Sequence, residues 1–159
     1  MRRKAPYFER SEGSPEPVLV TLRRRVQFSE VDALAIVWHG RYAGYFEEAS
    51  SELGRRCGFG YEEMRGHCIA APIVQFHADY HRPLQLSEEF VIQAAWIWNE
   101  GARIDIEYQI NDAHGLLVCS GYTVQTFVEL STRRPLWLSP PLLDECRERW
   151  RNGDFHARS

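Results

Sequence analysis

Between Gly40 and Cys57 the apolar residues keep a helical period, and in most of the rest of the chain they keep a strand period. That change of period most constrains the fold. Tyr42, Tyr45, Phe46, Ala49 and Leu53 fall at i, i+3, i+4, i+7 and i+11, which is one stripe of one helix. Glu47, Glu48, Glu52, Arg55 and Arg56 take its other faces, and Glu52 and Arg56 are spaced to pair. Arg55 and Arg56 suit the negative end of the helix, and Gly58 suits its C-terminal cap.

Before the helix, Val18 to Phe28 alternates. Val18, Val20, Leu22, Val26 and Phe28 share one face, broken by Arg24, which suits an edge, a pocket or an interface. After a short helical turn over Tyr61 to Arg65, the pattern reads as strands over Ile69–His81, Phe90–Trp98, Arg103–Asn111 and Leu116–Leu130. Asn99-Glu100-Gly101 and Asp112 to Gly115 are turn sequences, so a meander of antiparallel strands is predicted. In the third strand Ile104, Ile106, Tyr108 and Ile110 face in, while Arg103, Asp105, Glu107 and Gln109 face out. Leu142 to Trp150 closes the chain as a helix. One long helix against such a sheet is an α+β solution. It covers only part of the sheet, and Phe127 and Trp137 add apolar surface, so a second subunit is expected to cover the remainder.

A chain of 159 residues is long enough for one domain with a real core. Its net charge of -3 argues against a nucleic-acid binder. No apolar stretch approaches the roughly 20 residues of a membrane span. Residues 1–17 have basic groups but no apolar core of a signal segment, and are expected to be a mobile tail. The domain is then 18–150, with a C-terminal tail over 151–159. Cys57, Cys68, Cys119 and Cys146 show no paired spacing, so neither a metal site nor a disulfide framework is indicated. Buried, reduced thiols in a cytoplasmic protein are expected.

The chemistry concentrates in Ser29 to Tyr42. Asp32 stands between a strand end and a helix start, beside Ala33, Leu34, Ala35, Ile36 and Val37. If these neighbours desolvate it, the carboxylate becomes a better base or nucleophile. The first N–H groups of the helix, seven residues on, could polarise a carbonyl. The same residues also suit an ordinary turn, with Asp32 as a turn or capping residue, His39 a packed histidine, and Trp38 and Tyr42 core or pocket lining.

The run Phe28-x-Glu30-x-Asp32-x-x-Ala35-Ile36-Val37-Trp38-His39-x-x-Tyr42 resembles the signature of the 4-hydroxybenzoyl-CoA thioesterase family of hotdog-fold proteins. It is most similar to the branch of acyl-CoA thioesterases associated with the Tol–Pal system. Tyr45-Phe46-Glu47-x-Ala49, Tyr80-His81-Arg82-Pro83-Leu84, and Thr132-x-x-Pro135 with Pro140-Pro141 resemble further family segments. The resemblance implies a hotdog fold, a long central helix wrapped by a curved antiparallel sheet of five to six strands. It implies an acyl-CoA thioester hydrolase with no cofactor and no metal. Asp32 would be nucleophile or general base, and the backbone N–H of His39 would hold the thioester carbonyl. Val37, Trp38 and Tyr42 would line the substrate site. The sites would lie between the subunits of a homodimer or homotetramer, with Arg41, Arg82 and Arg103 as candidates for the CoA phosphates.

Two positions depart from the family pattern. Ala35 stands where glycine is usual, and its methyl disfavours positive φ, so a tighter or shifted loop is expected. Ser87-Glu88-Glu89 replaces common aspartates, with Glu88 keeping a charge. Two other functions suit the same fold: a non-catalytic acyl-thioester binder, and a carrier-protein thioesterase releasing fatty or polyketide chains. A hotdog dehydratase needs His-Phe-Pro-Gly-like or Asp-x-Asn-Pro-x-His-like segments, and the chain has neither.

Overall fold

The computed structural model describes residues 6–156. Helix α1 (Tyr42–Cys57) lies across a five-stranded antiparallel sheet. The sheet contains β1 (Val18–Arg25), β3 (Ile73–Tyr80), β4 (Glu89–Ile97), β5 (Arg103–Asp112) and β6 (Leu117–Thr126), in the order β1-β4-β5-β6-β3. A short α2 (Tyr61–Gly66), a two-stranded pair of β2 (Ile69–Ala70) with β7 (Val128–Glu129), and α3 (Pro141–Arg151) complete it. This is the α+β, hotdog arrangement that the resemblance implies.

The helical stripe does what its spacing predicts. Tyr42, Tyr45, Phe46, Ala49 and Leu53 are all buried. Phe46 stacks on Tyr108 at 4.3 Å, Tyr45 meets Phe90 at 4.8 Å, and Phe59, just past the helix, meets Trp96 at 4.6 Å. Gly58 ends the helix at φ 85, its N–H donating to the Gly54 carbonyl at 2.9 Å. Phe46 can press this close because Gly121 of β6 has no side chain. A Cβ there would sit 2.8 Å from Phe46 Cε2 and would run into the carbonyl oxygen of His77.

The strand order departs from a simple meander. Only β4, β5 and β6 follow one another; β3 pairs with β6 at the far edge, and β4 returns to β1. The predicted strand over Ile69–His81 is split between β2 and β3, with Pro72 in the break, where the chain lacks a donor. The predicted final strand breaks at Phe127, which turns into the core rather than outward. β1 ends at Arg25, and Phe28 is 82% exposed.

Other corrections are local. Arg55, not Arg56, pairs with Glu52, because Arg56 reaches the carbonyls of Leu19 and Phe155 instead. Asp105 is buried rather than outward. Its Oδ2 accepts from Arg103 at 2.8 Å and from Asn99 at 3.2 Å, and its Oδ1 has no partner among the described residues. Burial holds its carboxyl above the usual range. Cys57, Cys119 and Cys146 are buried, but Cys68 is exposed. Burial pushes the Cys57 thiol up to about 12 and that of Cys146 to about 11.

Of the two expected tails, 1–5 and 157–159 lie outside the described residues. The neighbouring segments are docked. Trp150 donates to the Glu16 carbonyl at 2.8 Å, Tyr7 and Phe8 both pack on Tyr122, and Phe155 is buried. Among the described residues no helix is long and apolar enough to cross a membrane.

Candidate active-site cleft

The site begins where β1 runs out. Glu30 closes a 3-10 turn, Phe28–Glu30, by accepting from the Gln27 N–H at 2.8 Å. Its other oxygen accepts from Arg24 at 2.6 Å, and Arg24 also donates to Glu48 of α1. Arg24 therefore ties the strand, the turn and the helix together, which explains a charge on the apolar face of β1. Its guanidinium lies 5.6 Å from the ring centre of Tyr45.

A three-residue hairpin follows. Asp32 N–H donates to the Ile36 carbonyl at 2.9 Å, Ala35 N–H donates to the Asp32 carbonyl at 3.0 Å, and Val31 faces Val37. Such a loop needs its last residue left-handed. Ala35 takes that conformation itself, at φ 59. The loop therefore accepts an unfavourable backbone at Ala35 instead of shifting to avoid it. The Asp32 carboxylate accepts from the Leu34 N–H at 2.8 Å, an Asx turn that aims the side chain. Residues 84–86 pin the far arm: Val37 donates to the Leu84 carbonyl at 2.8 Å, and Leu86 to that of Ala35 at 3.1 Å.

The chain then enters the helix through a 3-10 turn, His39–Arg41. Arg41 N–H donates back to the Trp38 carbonyl at 2.9 Å, and the Arg41 side chain reaches the Ser29 carbonyl at 2.9 Å. The N–H groups of His39 and Gly40 come first in the helix, with no carbonyl behind them in register. Tyr80, at the end of β3, donates its hydroxyl to the His39 carbonyl at 2.9 Å. The ring of Trp38 lies over Gly40, where any Cβ would meet it.

Asp32, Val37, His39 and Tyr42 line one cleft of about 360 Å³. Trp38 does not. It is 49% exposed and packs on the His39 ring at 5.1 Å, so it is neither core nor lining. The apolar run does not bury Asp32 in the way expected. Leu34 is 77% exposed, Ala33 and Ala35 are exposed, and Asp32 is half-buried. The tip of the hairpin, Ala33 to Ala35, is exposed, so any further desolvation must come from another surface.

Tyr80, His81 and Arg82 complete the cleft. They lie some forty residues downstream and are absent from the site read in Ser29 to Tyr42, although their segment carries part of the family resemblance. Of the three arginines considered for CoA phosphates, Arg82 lines the cleft and Arg41 braces its rim. Arg103 is at the opposite end of the sheet, paired with Asp105. Chemically the cleft offers a carboxylate, the start of the turn into the helix at His39, two imidazoles and one guanidinium.

The family model of the thioesterase-like superfamily matches residues 26–147. A proposed esterase of Aquifex aeolicus is 41% identical over 70 residues, which are 44% of this chain and 55% of that protein. Over that match the chain therefore spans about half the relative's length. The acyl-CoA thioester hydrolase YbgC of Escherichia coli O157:H7 is 21% identical over 124 residues, 78% of this chain and 92% of that one. Among solved structures, DHNA-CoA thioesterase from Staphylococcus aureus superposes with a TM-score of 0.75 at 20% identity, over 89% of this chain and 96% of that chain. At that identity the likeness speaks for the fold.

Proposed function

The chain belongs to the thioesterase-like superfamily, and from that premise we propose that it hydrolyses an acyl- or aryl-CoA thioester to the free acid and CoA. One observation carries the reading for this chain: Asp32 and His39, the residue that opens the turn into the helix, line the same cleft. A thioester carbonyl held at the His39 N–H meets the positive end of α1, where the negative charge that develops on its oxygen is stabilised. Asp32 acts from the other side. As nucleophile, its oxygen bonds to the carbonyl carbon, CoA leaves as the thiolate, and water cleaves the resulting anhydride. As general base, it takes a proton from a water molecule that attacks the carbon directly. Val37 and Tyr42 flank the reacting group, and Arg82 offers charge for the phosphates of CoA.

The site is completed, on this reading, by a second copy of the chain in a homodimer or homotetramer. β3 is an edge strand, and Ile73, Val74, Phe76 and Tyr80 on it are all exposed, as are Leu34 and Trp38 on the hairpin side. Apolar edges of this kind are normally covered. The same cover would remove water from Asp32. The narrower assignment, to the 4-hydroxybenzoyl-CoA thioesterase family and its Tol–Pal-associated branch, rests on the motif from Phe28 to Tyr42. A cytoplasmic location fits a CoA substrate and the free thiols of Cys57, Cys68 and Cys146.

The experiment is thiol release from a panel of aryl-, short- and long-chain acyl-CoAs. Turnover of at least one class is expected. Tight binding of a CoA ester with no turnover would instead make the protein a thioester binder. Cleavage of acyl-carrier-protein substrates alone would make it a carrier-protein thioesterase.

A further inference from the structure

His81 stands at one wall of the cleft, and its ring is held from the outer face of the sheet. Its Nε2 lies 2.9 Å from Ser120 Oγ. Ser120, 2% exposed, lies 2.8 Å from the hydroxyl of Tyr7, and Tyr7 donates to Asp79 Oδ2 at 2.6 Å. His77 Nε2 lies 3.1 Å from the same carboxylate oxygen. Tyr7 comes from the N-terminal segment, which is firmly seated. Its ring packs on His77 at 5.5 Å and on Tyr122 at 5.2 Å, and the next residue, Phe8, donates its N–H to Glu107 at 2.9 Å.

The direction of this chain follows from counting protons. A carboxylate has none to give, so the one proton of Tyr7 goes to Asp79. The Tyr7 oxygen must then accept from Ser120, which spends the one proton of the serine. Ser120 can then only accept from His81. The chain runs His81 Nε2–H to Ser120, to Tyr7, to Asp79, each hydroxyl polarised by the carboxylate at its end.

We propose that the N-terminal segment is a working part of the cleft, and that Tyr7, through Ser120, fixes His81 in its Nε2-protonated form and orientation. His81 is thereby a positioning residue for the hydrolysis, placed beside Asp32, His39 and Arg82 by an element more than seventy residues away in sequence. This rests on the thioesterase reading for its effect on turnover, though the hydrogen-bond chain itself does not.

Two measurements on the full chain test it. Tyr7→Phe keeps the ring packing and removes the hydroxyl. It should lower kcat/KM about two- to tenfold, the range expected for one lost hydrogen bond, in a protein that stays folded, its melting temperature lowered by roughly a few degrees. In a His81→Gln background the same substitution should have no further effect. An equal loss in both backgrounds, or no loss in either, overturns the proposal. The second measurement needs no substrate. Nitrogen-15 NMR should show His81 protonated at Nε2, with that proton exchanging several-fold faster in Tyr7→Phe. A ring protonated at Nδ1 in the wild type, or unchanged exchange in the variant, overturns it. If the wild type cleaves no acyl-CoA, the thioesterase reading fails, and the NMR result decides on the chain alone.

Discussion

Ala35 carries an unfavourable backbone that a single substitution should relieve. Its φ of 59 lies in the left-handed region, which costs a non-glycine residue roughly 1–2 kcal/mol. Ala35→Gly removes that cost but adds about 0.5–1 kcal/mol of chain entropy lost on folding. The side chain is exposed, so no packing is sacrificed, and the hydrogen bonds from Ala35 N–H to Asp32 and from Leu86 to Ala35 are kept. The net expectation is a gain of about 0.5–1 kcal/mol, with Tm raised by roughly 1–4 °C. Ala35→Val should move the other way, because a β-branched residue resists positive φ more strongly. Urea denaturation at fixed protein concentration measures both, with the midpoint moving and the slope unchanged. If Ala35→Gly is less stable than the wild type, or Ala35→Val is equally stable, Ala35 is not held left-handed and the hairpin account is wrong.

Gly121→Ala should lower stability by about 1–3 kcal/mol, since its methyl would be driven into the His77 carbonyl and to within 2.8 Å of Phe46; an unchanged denaturation midpoint would refute the close approach of β3, β6 and α1. Asp105 should make stability depend on pH. Burial raises its folded pKa above the unfolded value of about 3.9, so the folded state binds more protons in the window between them, and its stabilising share is lost as pH rises through that window. The stability difference between wild type and Asp105→Asn should therefore grow as pH falls from 7 toward 4, and a flat or opposite trend counts against a desolvated carboxylate.

The core of α1 is legible because a stripe of five apolar residues has only one helical solution, and the inward faces of β4 and β5 follow from alternation in the same way. Alternation says which face of a strand is buried but not which strand lies beside it, and so β3 is found at the far edge next to β6. Asp105 alternates as an outward residue; only the fold brings Asn99 and the Arg103 guanidinium onto it. The docking of 6–17 was hidden in a polar segment whose one signal was the adjacent aromatic pair Tyr7 and Phe8. In the cleft, Asp32 and the helix start are readable because a short stretch of chain holds both. Tyr80 and His81 are not, and Arg82 is only one of three candidate arginines, because their place depends on where β3 ends. By its sequence the apolar run beside Asp32 is expected to cover it; with Leu34 and Trp38 exposed, it presents an apolar surface instead.

The most direct test of the central claim is thiol release by Asp32→Asn, measured on the best acyl-CoA found with the wild type, with folding checked by the melting temperature. Asparagine keeps the shape of the Asx turn and can still accept from the Leu34 N–H, while losing both the nucleophilic oxygen and the base. The account predicts a correctly folded protein whose kcat falls by about 10²-fold or more, in the range set by losing a general base. A folded Asp32→Asn variant that releases thiol as fast as the wild type would contradict it.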